Sequence, residues 1–182
     1  MDERIASAFL TEARRLLTRD YLPKIERCLE CLDESEVWWR PNPASNSIGN
    51  LLLHLEGNIR QWIISGIGGA EDRRERQSEF DAGAARQAGE SPLPTAEELI
   101  ARLRATLGEV DEVLASLAPQ SLLELRRIQG LREVPVLTAV FHVVEHFSMH
   151  TGQIILITKQ RKGDDLKFYD FSGSAPRAKW RK

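Results

Sequence analysis

Several features that would classify a chain quickly are missing from this 182-residue sequence. No apolar run comes near the roughly 18 residues of a membrane span, because the longest candidates are broken by histidine, glutamate or lysine. The opening MDERIASAFL starts acidic and lacks the basic-then-apolar order of a secretory signal, so a cytoplasmic protein is expected. There is no excess of positive charge: 25 Lys and Arg face 27 Asp and Glu, a formal net charge of −2. Outside the short C-terminal tail no basic patch with interleaved aromatics appears, so no nucleic-acid partner is expected. The only two cysteines, Cys28 and Cys31 in CLEC, are too few for a four-thiolate zinc site. Helical patterning surrounds them, with no strand before, which argues for two free thiols with Cys28 in the core rather than a redox pair. Alternating strand patterns and repeats at solenoid spacing are also missing.

What is present is helical spacing. Ile5, Phe9, Ala13, Leu16 and Leu17, then Ile25, Cys28, Leu29 and Leu32, mark a first helix with a kink or break just before Pro23. EVWWRPNPASNS reads as a loop, with Trp38 and Trp39 expected to pack in the core. A second helix is predicted over about 47–65, capped by Ser45 or Asn46. The polar run IGGAEDRRERQSEFDAGAARQAGESPLP has no sustained period and reads as a long connection. Thr95 with Glu98 forms a capping box for a third helix that buries Leu99, Leu103, Leu107, Val110, Leu114 and Leu117. After a connector with a short extended piece near Gly130, a fourth helix is predicted over about 136–161. Four amphipathic segments imply an all-α fold, a four-helix bundle with long connecting loops. The chain length suits a single domain, residues 1–182, with 163–182 as a C-terminal tail. In that tail LKFYDF is expected to dock on the body and PRAKWRK to stay solvated.

Three of the four histidines, His142, His146 and His150, lie four residues apart in HVVEHFSMHTGQ. Residues four apart on an α-helix are only about 40° apart around its axis. Ser148, Thr151 and Lys159, with Glu145 at the margin, are expected on the water side, which turns His146 and His150 inward and His142 toward one edge. The second helix gives a matching result. Glu56 and Arg60 mark its solvent side, and opposite them runs a polar line of Ser47, Asn50, His54, Asn58 and Gln61. Polar groups facing a core need partners, since each costs a few kcal/mol when unpaired. Inward histidines on two helices suit a first-row divalent metal, and three such ligands leave positions open for water or substrate. Asn50, Asn58 and Gln153 are candidates to orient the ligands. By geometry alone the pair from the last helix is either His142 with His146 or His146 with His150. The bland alternative is histidines that only make core hydrogen bonds.

SNSIGNLLLHLEGNIRQWI followed by VFHVVEHFSMHTGQIILITK resembles the DinB/YfiT-like superfamily of metalloenzymes, and WWRPN, DRRERQSEF and DLKFY resemble one branch of it. The resemblance covers nearly the whole chain. It implies a four-helix bundle with a divalent metal held by three histidines, carried over here to His54, His146 and His150. His142 falls outside that triad and is left a supporting or packing role. The resemblance further implies zinc or nickel, with iron or manganese as alternatives, a low-molecular-weight thiol cofactor such as mycothiol or bacillithiol, a small-molecule substrate and a homodimer. The function it implies is a metal-dependent enzyme, either a thiol-dependent S-transferase or a hydrolase. The alternative is a non-catalytic metal-binding or stress-related bundle, since the family's founding member is associated with DNA damage. Glu145 is a candidate acid–base group or a surface carboxylate. Tyr169, Arg73, Arg74 and Arg76 are candidates to contact a substrate carboxylate or to form a solvated charged surface.

Overall fold

The computed structural model describes residues 2–85, 92–130 and 132–179. Helix α1 (Glu3–Arg15) is capped by Asp2, whose carboxylate accepts from the Arg4 amide. It runs without a break through a π-helical turn (Leu16–Tyr21) into α2 (Leu22–Leu29), which carries Pro23 in its first turn. Proline has no N–H and crowds the carbonyl four residues back, so the expected interruption takes the form of a widened turn rather than a break. A short α3 (Glu34–Val37), capped by Asp33, opens the predicted loop.

Helix α4 (Ile48–Ile59) begins one residue later than the spacing predicts. The capping residue is Ser47: its hydroxyl accepts from the Asn50 amide at 3.1 Å, while Asn50 Oδ1 accepts from the Ser47 amide at 3.2 Å. Neither Ser45 nor Asn46 serves, because this reciprocal box needs its second member three residues after the cap. A second π-helical turn (Arg60–Ser65) extends α4. Gly49 lies under Trp38, where a Cβ would come within 2.8 Å of the indole, so the predicted packing of Trp38 depends on a bare backbone there. Trp38 Nε1 donates to the Pro94 carbonyl at 3.1 Å.

The polar run expected to be a connection contains a helix, α5 (Arg76–Ala85), packed on α4. Its attachment is polar rather than through an apolar stripe, which is why no period announces it. Residues 86–91 of the run lie outside the described residues. Helix α6 (Ala96–Ser116) starts from the Thr95–Glu98 capping box and buries Leu99, Leu103, Leu107, Val110 and Leu114. After a 3₁₀ turn (Pro119–Leu123), β1 (Leu125–Ile128) and β2 (Arg132–Pro135) pair as an antiparallel hairpin. Gln129 and Gly130 both take left-handed backbone, φ 59° and 67°, to turn it, and Ile128 enters the core. Extended backbone was expected near Gly130, but the paired hairpin was not.

Helix α7 (Val136–Lys162) ends at Gly163 in the left-handed region, φ 64°. Its orientation differs from expectation in one respect. Thr151 is buried, as is Thr158, and each hydroxyl donates to the carbonyl four residues back at 2.8 Å. Self-bonding of this kind lets threonine pass as an apolar residue. The buried face centres on Val143, Phe147 and Ile154, and the exposed side carries Phe141, Glu145, Ser148, Met149 and Leu156. In the tail Leu166 is buried and Phe168 packs on the core, while Tyr169 and Phe171 are exposed. Strand β3 (Tyr169–Asp170) pairs with β4 (Arg177–Ala178), so the basic end is partly structured up to its last described residues; 180–182 lie outside them. Among the described residues no helix is long and apolar enough to cross a membrane.

Candidate metal centre

The polar line on α4 is buried as its spacing predicts: Ser47, Asn50, His54 and Asn58 all lie in the interior, and Gln61 is half-buried. It meets α7 where His150 is buried and His146 half-buried. His54, His146 and His150 each offer one nitrogen such that all three lie within 4.8 Å of one another. The Nε2 atoms of His54 and His146 are 3.0 Å apart, and those of His150 and His146 are 3.2 Å apart. His142 stays outside this group. Its ring packs at a tilt of 40° against Trp62, 4.1 Å between centroids, and its Nε2 lies 3.4 Å from Asn58 Nδ2.

The proton count of the cluster tests whether it suits a cation. His54 Nδ1 lies 2.8 Å from Glu79 Oε2 and 3.2 Å from Arg74 Nη2, and His150 Nδ1 lies 2.7 Å from Gln153 Oε1; a carboxylate can only accept, so the shorter contact makes His54 Nδ1 a donor. A neutral imidazole has one N–H, so Nε2 of both rings is a bare lone pair. Both lone pairs are turned on His146 Nε2, which has at most one proton to give. His146 Nδ1, meanwhile, is buried without a partner. Making His146 doubly protonated is no solution: burial first, then the imidazoles of His150, His54 and His142, pushes it down to about 3. Burial likewise lowers His150 and His142. Three imidazole nitrogens aimed at one point lack an electrophile, and a divalent cation is a group that satisfies them.

Of the residues proposed to orient ligands, Gln153 does contact His150. Asn58 meets His142 instead, and Asn50 holds the start of α4 and the backbone of α5 through bonds to the Glu79 and Phe80 carbonyls at 2.8 and 3.2 Å. Glu79 was not anticipated. Burial opposes its ionisation, but bonds from His54 and Arg74 outweigh that and hold it below the usual carboxylate range. Arg74, a candidate for substrate binding, is instead buried on Glu79, with Nε to Oε1 at 2.7 Å and Nη2 to Oε2 at 2.9 Å. Arg73 pairs with Glu71 at the surface, and Arg76 lies 5.1 Å over the Phe80 ring. Glu145 is exposed, and Tyr169 packs near Phe171 at 5.9 Å. A cavity of about 510 Å³, lined in part by Gly57, Gln61, Arg74 and Glu79, touches none of the histidines. Two signals in the sequence touched Glu79, the unmatched polar line on α4 and the family-like segment DRRERQSEF that contains it, but neither said that it partners His54.

A family model described as mycothiol-S-transferase matches residues 9–163. Among solved structures, the chain is similar to a DinB-like protein from Bacillus cereus ATCC 10987, with a TM-score of 0.58 and 17% identity over 78% of this chain and 85% of that one. At that identity the likeness speaks for the fold alone. No curated protein matches.

Proposed function

The chain belongs to the mycothiol-S-transferase family, within the DinB-like superfamily, and from that premise we propose that it is a divalent-metal-dependent S-transferase joining a low-molecular-weight thiol to an electrophilic small molecule. His54, His146 and His150 would hold the ion through their Nε2 atoms, with zinc or nickel the first candidates. Bound there, the ion supplies Lewis acidity that lowers the pKa of a thiol and leaves coordination positions open. The protein's part is to present three imidazole nitrogens at once. Burial keeps His146 unprotonated across the physiological range, and Gln153 and Glu79 take the outer protons of the other two rings. Phe80, whose ring lies 4.9 Å from that of His54, and Trp62 beside His142 give the site apolar walls. His146, half-buried rather than enclosed, is the ligand nearest to solvent. The observation that carries the reading is the convergence of one nitrogen each from His54, His146 and His150, with Nδ1 of His54 and His150 already set against Glu79 and Gln153.

Elemental analysis of untagged protein tests it. One divalent ion per chain is expected, lost in His54→Ala and in His146→Ala. Metal-loaded protein should then consume thiol and electrophile together. Conversion of the electrophile without thiol would favour a hydrolase, and bound metal with neither reaction would favour a non-catalytic bundle. The reading includes a homodimer, for which exposed Phe141, Met149 and Leu156 on one side of α7 are the surface offered; sedimentation tests that part.

A further inference from the structure

Helix α5 poses an energetic question. Its one large apolar side chain is Phe80, yet beside it Glu79 is only 7% exposed. Burying a carboxylate costs several kcal/mol unless charge and hydrogen bonds offset it, and a leucine would dock the helix more simply. The surroundings are nevertheless shaped for that carboxylate. Gly57 on α4 leaves the space it fills: a Cβ there would sit 2.1 Å from Glu79 Oε1 and 3.0 Å from Arg74 Nε. Arg74 grips both carboxylate oxygens, and its Nη1 donates to Gln61 Oε1 at 2.9 Å. Gln129, in the turn of the β-hairpin, donates to the same Gln61 oxygen at 3.1 Å. The backbone of α5 is anchored by Asn50 on the Glu79 carbonyl and by Arg40 on the Phe80 carbonyl at 3.1 Å. All of this converges on His54 Nδ1, where Glu79 Oε2 at 2.8 Å offers an acceptor closer than the Arg74 Nη2 donor at 3.2 Å. His150, by contrast, is oriented by a residue three positions along its own helix.

We infer that Glu79, gripped by Arg74 over the bare backbone of Gly57, is a positioning residue for His54, and that α5 is the element delivering it. It fixes the imidazole with Nδ1 protonated and Nε2 turned toward His146 and His150. The inference rests on the metal-site reading above and deepens it. A carboxylate behind a ligating imidazole both selects the tautomer and makes the ring a better donor, and losing such a partner typically costs roughly 10- to 100-fold in metal affinity.

The test uses ¹⁵N-labelled full-length protein. In the metal-free state imidazole nitrogen shifts report the tautomer of His54, and competition with a chromogenic chelator reports zinc affinity. Glu79→Leu should lose the Nδ1-protonated preference and bind zinc roughly 10- to 100-fold more weakly. Gly57→Ala favours the helix intrinsically but displaces the carboxylate, so it should weaken zinc binding at unchanged helical content. Glu36→Gln, at a buried carboxylate paired with Lys162 and Arg161, should change neither readout. If Glu79→Leu fails to fold, Gly57→Ala decides. A folded variant of either kind that keeps the tautomer, with zinc affinity within about twofold of the parent, overturns the positioning role. If the parent itself takes up no metal, the metal reading falls, while the tautomers in metal-free protein still decide what Glu79 does.

Discussion

Helix α4 contributes two unlike sets of buried side chains. Leu51, Leu52, Leu55 and Ile59 join an apolar core shared with Leu103 and Leu107 of α6 and Phe147 of α7. Asn50, His54 and Asn58, on the same helix and equally deep, form a polar line that depends on named partners. The first set gains free energy from burial alone and asks only for volume. The second loses free energy on burial and recovers it only where a hydrogen bond forms, and among the described residues Asn58 Oδ1 is buried without one. Part of that line serves the fold, since Asn50 closes the cap of α4 and hooks the backbone of α5, while His54 is turned to the histidine cluster.

The comparison can be broken most decisively from the apolar side. Leu103→Ala should cost about 2–5 kcal/mol of stability while leaving metal content unchanged. His146→Leu should do the opposite, abolishing metal binding while leaving the metal-free melting temperature near that of the parent or above it. Urea melts of both variants, read beside elemental analysis, check the pair. Equal effects on stability would dissolve the distinction.

Acid should find the polar line next. His146 is held down to about 3, chiefly by burial, against about 6.5 in an unfolded chain. Between those values the unfolded state takes up a proton that the folded state refuses. Stability from this ring is therefore complete above pH 6.5 and declines as the pH falls toward 3. His150 and His142 are lowered in the same direction. Metal-free protein should lose urea resistance steadily from pH 7 to pH 4, and His146→Leu should lose less over the same range.

The smallest effect concerns the two thiols. Cys28, in the apolar set, is fully buried, and burial raises its thiol to about 11 despite a hydrogen bond with Thr158. A disulfide reagent at pH 8 should label Cys31 quickly and Cys28 only on unfolding. Labelling of both in folded protein would show that the apolar set opens more readily than its packing implies.

Legibility in the sequence followed the same division. Apolar spacing located α1, α4, α6 and α7, and the polar line was visible because polar residues at helical period on a core face are anomalous. The choice of His150 over His142 came from family resemblance, not from angle. On this structure the two differ because Trp62 takes the His142 ring. Glu79 and α5 stayed hidden because a helix docked by a carboxylate and carbonyl hooks has no apolar stripe to read. Thr151 misled in the reverse sense, since a hydroxyl bonded to its own helix buries like a methyl group.

The wide turn at Arg60–Ser65 also bears on how this chain can change length. A π-helical turn stores one residue more than an α turn. Removing one residue there would tighten the coil and leave both flanks in phase, whereas the same deletion between His54 and Asn58 would swing everything after it by about 100°. Single-codon deletions scanned along α4 should accordingly be tolerated in that short window and rejected upstream, which makes the turn the place to trim or lengthen the helix without disturbing the histidines before it.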